Sequence, residues 1–147
     1  MFSICENRKG FTIAELLIVT GMFLLIFSLL APFVNMAKGR SRRLGCANNL
    51  REISLGLHKY AADHNDLFPP KLGDLYPRYV SHEKVFDCPA IKNVGTKEAP
   101  DYEYTVGLSE ISSPREIIVR DKDGNHKKSG MNIVRVDGTI EWVCFRH

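Results

Sequence analysis

One ionisable side chain interrupts the apolar run of residues 11–34, and it stands near the start of that run. Arg8, Lys9 and Gly10 precede the run, and Glu15 is the fifth residue after the glycine. At ~1.5 Å per residue the 24 residues of this run make a helix of about 36 Å, enough to cross a bilayer core of ~30 Å. Residues 11–34 therefore read as a transmembrane helix, and whatever else folds must be built from the residues that follow.

An apolar run after basic residues is ordinarily a secretory signal or a signal anchor. A secretory signal places its cut after the apolar region, at a small-x-small site. Here the end of the run reads Ala31-Pro32-Phe33, which blocks such a cut. Glu15 also needs a reason, because an acidic side chain in a spanning helix costs roughly 2.5–3.5 kcal/mol on insertion scales. A plain anchor gains nothing from it.

The wording KGFTIAELLIV resembles the processing motif of type IV prepilins and of the pseudopilins of type II secretion. In that family a membrane peptidase cuts after the glycine and methylates the new N-terminus. The resemblance implies cleavage between Gly10 and Phe11, N-methylation of Phe11, and an assembly role for Glu15. The Glu15 carboxylate would be neutralised by the new Phe11 ammonium about one helical turn away or by that of a neighbouring subunit, which would set the axial stagger of packed helices. It also implies four segments: a leader over residues 1–10, a transmembrane and assembly helix over 11–34, an amphipathic half of the same helix over 35–64, and a globular α+β head over 65–147. Pro32 fits as well, since a proline at this distance from the cut is common among pilins.

Beyond the apolar run, 113 residues remain of the 147, enough for one small domain. Loss of the leader removes Glu6, Arg8 and Lys9, so the formal charge falls from +3 to +2, too mild a balance to imply nucleic acid. Cys5 leaves with the leader. Cys46, Cys88 and Cys144 remain, so a pair with one thiol left over is expected outside the cytoplasm. Counting does not say which pair. Lys38, Arg40, Arg42 and Arg43 follow the apolar run, and the positive-inside rule would place the head in the cytoplasm. The processing motif requires the leader on that side, and we give it precedence. The basic cluster is then expected to meet lipid headgroups or acidic patches of adjacent subunits. No aromatic residues interleave with it to stack bases.

Helical spacing continues past the membrane. Leu44, Ala47, Leu50, Ile53, Leu57, Tyr60 and Ala61 form one stripe, with Arg51, Glu52, Lys59 and Asp63 off it. The stripe is expected to be core, and a helix from residue 11 to about residue 63 would be roughly 80 Å long. Pro32 predicts a kink or local melting, and Gly39 and Gly45 weaken the helix near the membrane exit. Asn65, Asp66, Pro69 and Pro70 end it. A loop over residues 67–89 holds one short helix using Leu72, Leu75 and Tyr79. Strands are predicted over residues 102–106, 117–119, 132–136 and 139–145. Asp137-Gly138 between the last two predicts a tight two-residue hairpin.

The wording of residues 46–80, and the Cys-Pro step at Cys88-Pro89, is similar to pseudopilin-type proteins of planctomycetes and related bacteria. In those proteins a cysteine early in the soluble helix accompanies one in a Cys-Pro step. The resemblance implies a Cys46–Cys88 disulfide, for which the chain-entropy model gives ~4 kcal/mol. The same group often carries His-x9-Asp-Gly before a Trp. Here ten residues separate His126 from Asp137, and Lys127 holds the expected place.

Candidate chemistry is sparse. Asp121, Asp123 and Asn125 offer oxygens at alternate positions, as calcium loops do, and major pseudopilins resemble calcium binders in this region. Gly124 and Asn132 do not fill the EF-hand glycine and glutamate places, and a solvated turn explains the same residues. His58, His64, His82 and Cys88 lack the spacing of a zinc set. No phosphate loop or nucleophile elbow occurs, and no enzyme is expected. The reading is an α+β, pilin-like fold with a long N-terminal helix on a small antiparallel sheet. The implied role is that of a filament subunit of a type IV pilus or type II secretion pseudopilus. Its implied partners are a prepilin peptidase, other pilin or pseudopilin subunits, and an inner-membrane assembly platform. A minor pilin that binds DNA or secreted cargo is the alternative.

Overall fold

The computed structural model describes residues 11–91, 94–126 and 130–145. The leader, with Gly10, lies outside the described residues. The fold is α+β. One helix, α1 (Ile13–Asp63), is followed by two 3₁₀ turns (Leu72–Leu75 and Glu83–Phe86) and four strands, β1 (Tyr102–Tyr104), β2 (Ile117–Asp121), β3 (Gly130–Arg135) and β4 (Ile140–Cys144). The sheet order is β1-β2-β3-β4, every pair antiparallel. The chain divides into two compact units, residues 1–38 and 39–147.

In the first unit every described side chain is exposed, including Leu17 and Phe27, each at 67%. The most apolar window of α1 has a mean hydropathy of 2.5, and none of it is buried. The helix is long and apolar enough to cross a membrane. It runs through Pro32 without interruption, so the expected local melting does not occur.

In the second unit α1 supplies one wall of the core. Cys46, Leu50, Ile53, Leu57 and Ala61 are buried at spacings of three and four. The expected stripe is shifted at its start, because Leu44 is 56% exposed and Cys46 takes the inward place. Gly45 and Gly56 are packing positions. A methyl group on Gly45 would meet Pro89 Cγ at 2.9 Å, and one on Gly56 would meet Val80 Cγ2 at 2.8 Å. The helix propensity given up, about 1 kcal/mol per glycine, is offset by close approach of the loop that carries Val80 and Pro89. The helix ends where Asn65 and Asp66 take positive φ of 54° and 63°, and Asp66 N–H donates back to the Ala61 carbonyl at 2.9 Å. Asn and Asp tolerate this conformation better than other non-glycine residues.

The opposite wall is the inner face of β1–β3, with Tyr102, Ile118, Val119 and Val134 buried; Leu72, Leu75, Val80 and Phe86 from the intervening loop complete the core. The loop expected to hold one short helix holds two 3₁₀ turns. The β3–β4 hairpin also differs from expectation. Arg135 N–H donates to the Thr139 carbonyl at 3.0 Å and Gly138 N–H to the Arg135 carbonyl at 2.9 Å, so the loop is the three residues Val136, Asp137 and Gly138. Of the Asp-Gly pair only Gly138 takes positive φ, 79°. This is the turn-plus-bulge form of hairpin. Val136 is buried and donates its N–H to the Glu116 carbonyl at 2.9 Å, which holds the extra residue in place.

Candidate functional site

Two places in the chain carry polar groups whose positions need explaining. The first is the start of α1. Thr12 Oγ1 accepts from Glu15 N–H at 3.2 Å, while the Thr12 N–H and hydroxyl each donate to Glu15 Oε2 at 3.0 Å. This reciprocal arrangement is a capping box, and it satisfies backbone donors that the first helical turn leaves without partners. Glu15 thus has a local role as a helix cap, a role the Thr-x-x-Glu spacing signals. Phe11, 83% exposed, precedes the cap. The cut at Gly10 falls outside the described residues.

The second place is a buried corner around the disulfide. Cys46 of α1 is joined to Cys88, their Cα atoms 5.5 Å apart. The segment bearing Cys88 is held on both sides. Asn49 Nδ2 donates to the Asp87 carbonyl at 2.7 Å, and Cys88 N–H donates to Asp101 Oδ2 at 3.0 Å. The Tyr102 hydroxyl also reaches the Asp87 carbonyl, at 3.4 Å, and burial holds this phenol well above the usual tyrosine range. Cys144 is free and exposed.

Beside the disulfide lies Asp121, at the end of β2 and fully buried. Its Oδ2 accepts from the Asn132 backbone N–H at 2.7 Å and from Asn132 Nδ2 at 2.8 Å. His126 places Nε2 3.1 Å from the same oxygen, with only 6% of its side chain exposed. That approach is not aligned as a hydrogen bond. Among the described residues, Asp121 Oδ1 and His126 Nε2 have no hydrogen-bond partner. The Trp142 ring packs against the His126 edge at 5.3 Å, and Arg43 lies over Trp142 at 4.0 Å. Trp142 is far from the basic cluster in sequence and comes to Arg43 only through the sheet.

The three calcium candidates have different surroundings. Asp121 faces Asn132, Asn125 Nδ2 donates to the Asp101 carbonyl at 2.9 Å, and Asp123 is exposed on the turn. The histidines weighed for zinc are also apart in their contacts. His58 Nδ1 meets Glu110 at 2.5 Å, His64 stacks on Tyr60 at 3.8 Å, and His82 is exposed. What the fold does bring together is a set that spacing could not show: ligand atoms of Cys46, Cys88, Asp121 and His126, all within 4.8 Å of one another.

Residues 36–78 match a family model described as a protein of unknown function, DUF1559. The match covers the C-terminal part of α1 and the first 3₁₀ turn, and it overlaps the stretch that resembles planctomycete pseudopilin-type proteins. No curated protein and no solved structure matches the chain.

Proposed function

We propose that the chain is a structural subunit of a type IV pilus-like or type II secretion pseudopilus filament. In this reading prepilin peptidase cuts after Gly10 and methylates Phe11. The mature chain waits in the inner membrane with its head on the far side, and the assembly platform packs α1 into a helical filament. The single observation that carries the reading is the state of the apolar part of α1. It begins immediately after the motif, bears one carboxylate in its first turn, and leaves every described side chain without cover. A filament supplies that cover with identical helices, and lipid supplies it before assembly. The family match over residues 36–78 supports the reading, the family being one associated with planctomycete pilin-like proteins. No catalysis is assigned to the chain, and its work is mechanical. Mass spectrometry of the membrane-bound protein should find an N-terminus at methylated Phe11. A mature N-terminus within or beyond Ala31-Pro32 would rule the filament reading out.

A further inference from the structure

Four side chains from four separate segments meet in the buried corner, and they make a chemical set. Cys46 comes from α1, Cys88 from the loop after the second 3₁₀ turn, Asp121 from the end of β2, and His126 from the turn that follows. Their ligand atoms lie within 4.8 Å of one another. Around a tetrahedral zinc, with bonds of about 2.3 Å to sulfur and about 2.0–2.2 Å to nitrogen or oxygen, ligand atoms stand roughly 3.3–3.8 Å apart. His126 Nε2 already lies against the Asp121 carboxylate, 3.1 Å from its Oδ2. Small side-chain movements would close the set on one ion once the two sulfurs are no longer bonded to each other.

Two further observations point the same way. Asp121 Oδ1 and His126 Nε2 are buried without hydrogen-bond partners among the described residues, a state that disfavours the fold unless something else satisfies them. Both are ligand atoms by type. The other carboxylate oxygen is held by two donors from Asn132, at 2.7 and 2.8 Å, which is how an outer group orients a metal-binding carboxylate.

We propose that Cys46, Cys88, Asp121 and His126 form a zinc site in the reduced chain, and that the disulfide and the metal are alternative occupants of one corner. The exchange balances. A dithiol reductant gives two electrons to the Cys46–Cys88 bond and becomes a disulfide itself, leaving two thiols. Zinc then displaces the two thiol protons, and neutral His126 and ionised Asp121 complete the shell. Two thiolates and one carboxylate against Zn²⁺ leave one net negative charge. The Asn132 donors lie beside it. Either occupant ties α1 to the loop bearing Cys88, so the corner stays closed before and after oxidation. The inference stands apart from the filament reading, since it uses only residues of the second unit.

The test uses the full chain in detergent with Cys5→Ser and Cys144→Ser, so that only the two corner thiols remain. The reduced protein is titrated with Co²⁺ under anaerobic conditions. One equivalent should bind, with thiolate-to-cobalt charge-transfer absorption and the intense visible bands of a tetrahedral ion, and Zn²⁺ should displace it. The oxidised chain should show neither feature. His126→Ala should weaken cobalt binding at least tenfold, whereas His126→Cys should restore it with a stronger charge-transfer band. Zn²⁺ should raise the melting temperature of the reduced protein and not that of reduced His126→Ala. An absent charge-transfer band in the reduced chain overturns the proposal. Equal binding by His126→Ala also overturns it, because two thiols alone, folded or unfolded, would then account for the metal.

Discussion

The two units of this chain share one helix and solve opposite problems. Over residues 11–38 every side chain of α1 is exposed, aliphatic or not. Over residues 39–63 the same helix buries Cys46, Leu50, Ile53, Leu57 and Ala61 against a sheet and leaves Arg51, Lys59 and Asp63 outside. Helical backbone satisfies its own hydrogen bonds in either setting, so secondary structure alone does not separate them. Burial does. The second unit finds its cover within its own chain, while the described side chains of the first find none there, and the filament reading supplies it from lipid and from other helices.

Severing the two should produce the largest effect. A chain beginning at Gly39 should be soluble without detergent, and its circular dichroism should show helix and strand with a cooperative melt. The full-length protein should stay in the membrane fraction. A truncated head that aggregates or lacks a cooperative transition would show that the second unit depends on the first for cover.

A smaller but sharper change is Glu15→Leu. The substitution removes the Glu15 side-chain half of the capping box, while Thr12 Oγ1 still accepts from the residue 15 N–H, and it removes the carboxylate that the filament reading pairs with a neighbour's Phe11 ammonium. Insertion should persist, because the cost of a carboxylate in lipid disappears. Filament assembly, followed by shear fractionation and imaging, should fail. Normal filaments would reduce Glu15 to a helix cap, and loss of insertion would give it a role in the membrane step.

Leucines on opposite sides of one helical stretch provide an internal control for the second unit. Leu57 is 1% exposed and Leu55 is 56% exposed. Leu57→Ala should cost about 3 kcal/mol by lost burial and a residual cavity. Leu55→Ala should stay within roughly 0.5 kcal/mol, as surface changes do. Urea unfolding of the two variants should separate them clearly. Comparable losses would mean that Leu55 is covered in the native assembly and belongs to an interface.

Much of this division was legible in residue order. The apolar run, the 3.6-residue stripe and the β-rich segments each depend on nearest neighbours, and all reappear as elements. Ile118 and Val119 on β2 and Val134 on β3 do face the core. Local reasoning failed where a distant segment decides the outcome. Leu44 lost its inward place to Cys46, whose orientation is set by Cys88. The Asp137-Gly138 turn gained a residue because Val136 is anchored to the Glu116 carbonyl. Gly45 looked like a weak point and is a seat for Pro89. The candidate corner was the least legible part. The resemblance implies the Cys46–Cys88 pair, but sequence spacing groups Asp121 with Asp123 and Asn125. Its contacts are with Asn132 and His126, which only the pairing of β2 with β3 and the turn between them can supply.

The smallest expected effect is a change of slope at alkaline pH, and it tests whether the core around the disulfide is as dry as its geometry implies. Tyr102 is 2% exposed, with its hydroxyl directed at the Asp87 carbonyl. Burial, first of all, and the nearby carboxylates of Asp121, Asp101 and Asp87 raise its ionisation above the ordinary value of 10.0, with only the Asn49 hydrogen bond opposing. The folded chain thus holds the phenol neutral where the unfolded chain would release the proton. This contribution to stability is fully present below about pH 10 and is lost as pH rises from there towards the folded-state value. Tyr104, raised by burial as well, acts in the same direction. Tyr102→Phe should cost about 1 kcal/mol at neutral pH for the lost hydrogen bond, yet decline less steeply above pH 10, with Tyr104 supplying the remaining tyrosine contribution. Urea midpoints measured from neutral pH to pH 11 would read both quantities. Parallel alkaline slopes for the wild type and Tyr102→Phe would mean that Tyr102 ionises without unfolding, and that water reaches the corner beneath the Cys88 loop.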